Sequence, residues 1–320
     1  MRPAFPLAIA AFAVFFGTPQ SVSSQQNADP SVTEIVNRAA AQRPLYQEVF
    51  RNLLSRETKT FEIYGKNGEV KRTRTVVSTF LVYQLSRDPT RISEFRNIQS
   101  VDGKPVENTE GRTENLFATV AKAESSEKEL KQIETESQRF DEDISISGQT
   151  LFQAVTLTEN LSPFFEFTLE GKENIDGETA FVVAYRQIRA TPYITADPTR
   201  MPADHRLTVF NDAGLKVGME LGERLSGKLW IDTNSFRIRR ELRDFTIQPR
   251  NASRPVMLAE TTFQYQPSTF GILVPKQITH IQYNVTDGGR SSRKDAKITF
   301  TYDNFTKPDV EVKSAEIRTN

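Results

Sequence analysis

Long stretches that alternate apolar and polar residues dominate the second half of the sequence, and they constrain the fold more than any other feature. The apolar positions of three such stretches are Phe181, Val183 and Tyr185, then Met257, Phe263 and Tyr265, then Ile298, Phe300 and Tyr302. A period of two is typical of strands with one covered face. Turn signals such as Asp176-Gly177 and Asp287-Gly288-Gly289 separate the stretches, so the sequence predicts successive antiparallel strands.

The first half of the chain combines helices with strands. Asp29-Pro30-Ser31 predicts a helix start, and helical spacing continues, past a break or kink at Pro44, to about Arg56. Strands are predicted at 61–64, 70–85 and 92–101, the first two joined by a hairpin turn at 65–68. From about 110 to 161 apolar residues recur every three or four positions, which indicates amphipathic helices. The pattern predicts one α+β domain of long antiparallel strands with helices on one side.

The first 24 residues read as a signal peptide. Arg2 provides a positive start, and the apolar run from Ala4 to Phe16 is shorter than the roughly 20 residues of a membrane span. Small residues follow, which predicts cleavage between Ser23 and Gln25. We therefore expect an exported protein, periplasmic or extracellular, with no transmembrane anchor after cleavage. The mature domain is expected to cover 25–320, with a helical insert at about 110–160 and a loop at 186–227.

Composition excludes several functions. The chain has 320 residues and no cysteine, so a disulfide framework, a thiolate nucleophile and a Cys-ligated metal are ruled out. Its 41 basic and 41 acidic side chains balance, whereas a nucleic-acid binder normally has a basic face. We expect no nucleic-acid partner.

Several segments resemble known families. They are FRNIQSVDGKPV (95–106), IETESQRFD (133–141), GKLWIDTNSFRIRREL (227–242), YQPSTFGILVPKQI (265–278) and AKITFTYDNFTKPDVEV (296–312). They resemble a family of secreted bacterial proteins with no assigned activity, and the LolA/LolB-like lipoprotein-carrier superfamily. The resemblance implies a strongly curved antiparallel β-sheet, a half-barrel, with helices covering its concave face. It also implies a carrier or binding protein for acyl chains or lipids.

A hydrophobic ligand on the apolar sheet face needs no special residues, since a dry groove binds each CH₂ with about 0.8 kcal/mol. The candidate ligand-binding residues are Tyr83, Phe181, Tyr185, Trp230, Phe263, Tyr265, Phe300 and Tyr302. Each of these positions also fits a plain core residue, and Trp230 fits either a packing anchor or a lid residue.

Catalytic signals are weak. Neither His205 nor His280 has a partner at metal-binding spacing, and no G-x-S-x-G elbow is present, so both histidines are expected at the surface. The acidic run Asp141-Glu142-Asp143 lacks the spacing of a calcium loop and is expected to be solvated. We expect no catalytic residue, no metal and no cofactor.

One strand concentrates charged residues: Arg237, Arg239, Arg240 and Arg243, opposed by Glu241 and Asp244. Charges of this kind commonly protect an edge strand, and binding of an anionic head group is the functional alternative. The apolar positions change phase along this strand, which predicts a bulge near Arg243.

The leading hypothesis is an exported, non-catalytic binding or carrier protein for a lipid or other hydrophobic ligand in the cell envelope, with the helices at 110–160 as a movable cover. The second hypothesis is a structural or interaction protein with a filled core. A secreted hydrolase is the third. The sequence indicates no particular protein partner.

Overall fold

Eleven strands form one open antiparallel sheet in the computed structural model of the protein. The structure describes residues 29–86, 88, 91–142, 149–151, 153–197, 209–210, 222–248, 253–286 and 291–308. The strands are β1 (Leu54–Tyr64), β2 (Val70–Gln84), β3 (Ile92–Val101), β4 (Lys104–Pro105), β5 (Phe165–Ile175), β6 (Glu178–Gln187), β7 (Ile194–Thr195), β8 (Val209–Phe210), β9 (Arg224–Asp232), β10 (Ile238–Ile247), β11 (Val256–Pro267), β12 (Leu273–Thr286) and β13 (Ser291–Thr306). Their order in the sheet is β4-β3-β2-β1-β13-β12-β11-β10-β9-β6-β5, and β7 and β8 pair separately in parallel.

Three α-helices accompany the sheet in the described part of the chain: α1 (Val32–Phe50), α2 (Thr109–Val120) and α3 (Ser126–Ser137). One 3₁₀ turn lies at Val155–Leu157, within the stretch to about 161 where the sequence predicts amphipathic helices, and another lies at Ser162–Phe164, just beyond that stretch. The predicted α+β class and the curved antiparallel sheet are confirmed. The predicted signal peptide and His205 lie outside the described residues. None of the described helices is long and apolar enough to cross a membrane.

Two hairpins form where turn residues predicted them, whereas the predicted turn at 287–289 lies outside the described residues. Gly65 and Gly68 lie in the β1–β2 turn, and the pair Asp176-Gly177 joins β5 to β6 with φ values of 53° and 88°. Positive φ at both central residues matches the right-handed twist of the flanking strands, which is why Asp-Gly is favoured there.

Helix α1 begins as predicted but ends earlier. The Ser31 hydroxyl accepts a hydrogen bond from the Glu34 N–H, which is the expected cap. The helix continues through Pro44 and ends at Phe50, whereas the prediction placed its end near Arg56. Burial of Tyr46 and Phe50 beyond the proline holds this last part in place, and the chain then enters β1 at Leu54.

The two sheet faces are covered by different elements. We call inner face the side that carries Phe61, Phe80, Phe263 and Phe300, which belongs to the largest hydrophobic core cluster together with α1 and the segment 149–161. Neighbouring residues on a strand point to opposite sides, so Leu81 and its cross-strand partner Phe95 lie on the outer face.

Helices α2 and α3 pack on that outer face, near the β3 edge, through Phe95, Val120 and Ile133. The predicted cover at 110–160 is therefore divided. Its last part lies on the inner face beside α1, whereas α2 and α3 lie on the other side of β3. Leu81 and Phe95 explain this division between the two faces. Both are apolar side chains that point away from α1, so they provide a surface on which α2 and α3 pack.

Strand β10 is an interior strand between β9 and β11, which corrects the prediction of an edge strand. Glu241 and Arg243 point to the inner face and are buried, so they do not protect an edge. The predicted bulge exists, but its place is different. The pairing with β9 shifts between Ile238 and Arg240, and the pairing with β11 shifts between Phe245 and Thr246.

Candidate functional site

The inner face brings together six of the eight predicted ligand-binding residues. These are Phe181, Tyr185, Phe263, Tyr265, Phe300 and Tyr302, all in the core cluster that α1 covers. The remaining two, Tyr83 and Trp230, lie on the outer face in two separate smaller clusters. Alternation along β2 and β9 separates them from the others, because Tyr83 is out of phase with Phe80 and Trp230 is out of phase with Leu229 and Ile231.

Aromatic side chains connect α1 with the sheet. Tyr46 stacks on Phe50 with ring centroids 5.1 Å apart, and its ring meets Tyr265 edge-on at 6.3 Å. Phe50 contacts Phe80 at 6.1 Å, and Phe80 meets Tyr302 edge-on at 5.7 Å. Phe263 and Phe300 are 0% and 1% exposed. The aromatic residues of this face are thus packed against α1. From here on, α1 and the segment 149–161 together are called the cover.

A group of charged residues lies among these rings near β1 and β3. Arg96 donates hydrogen bonds from Nε and Nη2 to the two carboxylate oxygens of Glu57, at 2.6 and 3.0 Å, and from Nη2 to Glu94 at 2.9 Å. Burial alone would lower the pKa of Arg96, but Glu57 and Glu94 outweigh it and raise that pKa well above its usual value. The guanidinium group therefore stays charged in the interior.

Glu94 also holds the segment that follows α3. One of its carboxylate oxygens accepts hydrogen bonds from the backbone N–H and the hydroxyl of Thr150, at 2.9 and 2.7 Å. Burial acts to raise the pKa of Glu94, but Arg96 and these hydrogen bonds prevail and lower it. The ionised carboxylate thereby connects β3 with the cover.

A second charged group lies on β10 and α1. Arg243 donates to Glu241 from Nε at 3.0 Å and from Nη2 at 2.7 Å, and its guanidinium lies 4.6 Å from the centre of the Phe263 ring. Glu241 also accepts a hydrogen bond from the Ala154 N–H at 2.8 Å. On the cover, Arg43 donates from Nε to the Gln153 carbonyl at 3.0 Å. Sheet, helix and segment thus meet through charged and polar contacts.

His280 is buried on the inner face, which corrects the expectation of a surface histidine. Its Nδ1 lies 2.8 Å from the Thr261 hydroxyl. Burial, with Arg243 as a smaller contribution, lowers the pKa of His280 to about 4. The ring is therefore neutral at physiological pH, because desolvation disfavours its charged form.

The acidic run after α3 also differs from the prediction. Asp141 pairs with Lys59 in the interior, and Glu142 pairs with Arg72 and Arg74, so both carboxylates are partnered and buried. Asp143 lies outside the described residues. Within the described ranges, no cluster of three or more acidic or histidine side chains has the arrangement of a metal site.

The two outer-face candidates have their own partners. The Tyr83 hydroxyl donates to Glu129 at 2.6 Å, and burial together with this hydrogen bond raises the pKa of Tyr83 to about 12. Trp230 donates from Nε1 to Glu173 at 2.7 Å, and Arg240 lies over its ring at 4.7 Å. These contacts favour the packing role for Trp230 over a lid role.

A small depression opens at the edge of the cover. It is lined by Ala39, Gln42, Leu45, Tyr46, Gln153, Arg237, Ile238, Ile272 and Leu273. Its volume of about 10 Å³ corresponds to roughly one water molecule. Leu45 is 42% exposed beside it, so an apolar side chain stands at the boundary between α1 and the β11–β12 connection.

The buried charges are the part of this site that the sequence prediction missed. A usable signal was present, since Lys59 is in phase with Phe61, and Arg243 with Phe245, on strands whose inward positions are apolar. A charged residue at such a position indicates one of two things. Either the inward and outward positions of the strand are wrongly assigned, or the charge is buried in an ion pair.

No protein-family model matches the sequence, and no curated protein matches it. Solved structures with a similar fold include a DUF1329 family protein from Desulfovibrio piger, at 11% identity and a TM-score of 0.32, covering 89% of this chain and 97% of that chain. A Vibrio parahaemolyticus domain, described as an outer membrane lipoprotein-sorting protein domain, has 10% identity and a TM-score of 0.34, with 86% and 94% covered. A LolA superfamily protein from Nitrosomonas europaea has 9% identity and a TM-score of 0.30, with 88% and 96% covered.

A LolA superfamily protein is thus among the structures to which this chain is similar, as the strand and turn motifs predicted.

Proposed function

We propose that the protein is an exported, non-catalytic binding or carrier protein of the cell envelope, which takes up a lipid or another hydrophobic molecule on its inner face. The observation that carries this proposal is the boundary between the aromatic inner face and its cover. That boundary contains ionised side chains and backbone hydrogen bonds as well as apolar contacts.

Such a boundary favours a cover that can separate from the sheet. Arg43, Glu94 and Glu241 hold α1 and the segment 149–154 through hydrogen bonds that water can replace when the cover moves. Buried ion pairs add little net stability compared with apolar side chains of the same size, because desolvation offsets their attraction. A protein that needed only a rigid core would gain stability from apolar residues at these positions.

The ligand would enter at the depression beside Leu45 and lie along the rings that α1 covers. Tyr46, Tyr265 and the neighbouring aromatic residues then exchange contacts with α1 for contacts with an apolar chain. Each buried CH₂ contributes about 0.8 kcal/mol, so a long chain supplies enough free energy to offset displacement of part of the cover. Affinity in this mechanism requires no catalytic or metal-binding residue.

Two measurements test the proposal. Native mass spectrometry of the protein from its own host is expected to detect a bound lipid, and the delipidated protein is expected to bind a fluorescent fatty acid. The Leu45→Glu variant places a charge at the entry and should weaken binding about tenfold, a loss of about 1.4 kcal/mol. Val70→Glu is the matched control, because Val70 is 47% exposed at the start of β2 and away from the depression.

The second candidate is a structural or interaction protein whose inner face is a filled core. The low exposure of Phe263 and Phe300 favours it. Absence of co-purified lipid together with absence of fatty-acid binding would support this candidate and contradict the carrier proposal.

A further inference from the structure

Lys59 and Asp141 meet in the interior in an arrangement that the binding proposal does not use. The Lys59 Nζ contacts the Asp141 Oδ2 directly, and the two side chains are 1% and 5% exposed. Lys59 lies on β1, whereas Asp141 follows α3 and lies 82 positions further along the chain.

Aromatic rings surround the lysine. Its Nζ lies 5.1 Å from the centre of the Phe61 ring and 5.3 Å from the centre of the Phe300 ring. Glu57 is two residues earlier on the same strand face, and it is held by Arg96 through two hydrogen bonds. The pair is thus buried beside two aromatic rings, and the Glu57 carboxylate held by Arg96 is close to the lysine.

We propose that Lys59 and Asp141 join through a covalent amide bond between Nζ and the Asp141 side-chain carbonyl carbon. The proposal concerns a covalent modification of the chain and is independent of the hydrophobic ligand.

The reaction needs no external reagent. A proton passes from the ammonium group to the carboxylate, which leaves a neutral amine and a carboxylic acid in contact. The amine lone pair then attacks the carbonyl carbon, the nitrogen loses a proton, and the acid hydroxyl leaves with that proton as water. One amine and one carboxylic acid are consumed, and one amide and one water are formed.

The environment favours this proton transfer and the attack. Burial and the positive charge of Arg96 lower the pKa of Lys59, while burial raises the pKa of Asp141, so both shifts favour the neutral pair. Direct contact of the reacting groups replaces an encounter in solution, which is a large rate advantage for a bimolecular reaction. Exclusion of water also disfavours the reverse hydrolysis.

The amide would provide a covalent cross-link in a chain that has no cysteine and therefore no disulfide. It would tie the segment after α3 to β1 and close a long loop, so the unfolded chain would lose conformational freedom as it does with a disulfide. An exported protein would thereby gain a cross-link that reducing agents do not break.

The test is peptide mapping of the natively folded wild-type protein. Trypsin does not cleave after an amidated lysine, so the expected product joins residues 57–66, with Lys59 uncut, to residues 140–172. Its mass equals the sum of the two peptides minus one water molecule. Fragment ions from both peptides distinguish this product from cyclisation of Asp141 onto its own backbone, which loses the same water within one peptide.

Exposed pairs in the same digest provide matched controls. Lys228 contacts Glu170 at 2.7 Å and Lys297 contacts Glu62 at 2.7 Å, and all four side chains are partly exposed to water. Trypsin should cleave after Lys228 and Lys297, and the peptides that end at these two lysines should be linear. The Lys59→Arg variant keeps a cation at this position and should give only linear peptides.

Linear peptides alone from residues 57–59 and 140–172 of the wild-type protein would overturn the proposal. Cross-links at the exposed control pairs would also count against it, because they would reveal dehydration during handling. The decisive measurement uses the wild-type protein, so failure of the arginine variant to fold does not affect the outcome.

Discussion

Glu241 of β10 accepts a hydrogen bond from the backbone N–H of Ala154 at 2.8 Å, across 87 positions of the chain. The same carboxylate pairs with Arg243, so one buried side chain both neutralises a charge of the sheet and holds the cover. The inner face is therefore organised by a few ionised residues within an aromatic core.

Glu241→Gln is expected to lower the free energy of unfolding by about 3 kcal/mol or more. The amide keeps the shape of the side chain, but Arg43 and Arg243 would then face a neutral group in the interior. Urea unfolding followed by circular dichroism measures the change. Glu170→Gln is the matched control and should alter stability little, because its pair with Lys228 is exposed.

The lowered pKa of His280 predicts a pH dependence of stability. Between its ordinary value of 6.5 and about 4, the unfolded chain binds a proton at this histidine and the folded protein does not. The free energy of unfolding should therefore be fully retained above pH 6.5 and decline toward pH 4, by roughly 3 kcal/mol from this group. Urea unfolding at several pH values measures this slope.

His280→Gln should flatten that slope between pH 6.5 and pH 4, since the amide does not titrate. A variant that keeps the full wild-type slope in this interval would show that other groups cause it. The pKa of Glu94 is lowered in the folded protein, so its contribution to the free energy of unfolding is lost only as pH falls through that folded-state pKa. Glu94 therefore affects the slope only in the lower part of this pH interval.

Gly227 is required by a close approach of two strands. A Cβ at this position would lie 1.9 Å from the Leu242 carbonyl oxygen and 2.7 Å from the Tyr185 hydroxyl oxygen. Gly227→Ala should lower the free energy of unfolding by about 2 kcal/mol or more, because backbone atoms of β10 must move. Gly177→Ala, in an open turn, should cost about 1 kcal/mol through its positive φ alone.

Trp230 provides a spectroscopic test of where a ligand binds. It is the single tryptophan and lies on the outer face, so its emission should not change when a fatty acid binds on the inner face. A Leu45→Trp variant in a Trp230→Phe background places the fluorophore at the depression, and its emission should shift. A shift from wild-type Trp230 instead would place the ligand on the outer face.

Strand periodicity, two hairpin turns and the class of fold were predictable from the amino-acid sequence alone. The period of two in Phe181, Val183 and Tyr185 reflects the geometry of a single strand, and the Asp176-Gly177 turn reflects local backbone preferences. These properties depend on neighbours in the chain, which is why they could be predicted without coordinates. The inward direction of six candidate aromatic residues follows from the same periodicity.

Which groups meet across the sheet depends on the assembled fold and could not be predicted from the sequence. The burial of His280 and Arg243, the pairing of Lys59 with Asp141, and the interior position of β10 depend on strand order and on where α1 and the segment 149–161 lie. Local sequence carries no information about partners 82 or 87 positions away. A buried charge is tolerated only when such a distant partner is present, so its environment was decided by the assembled fold.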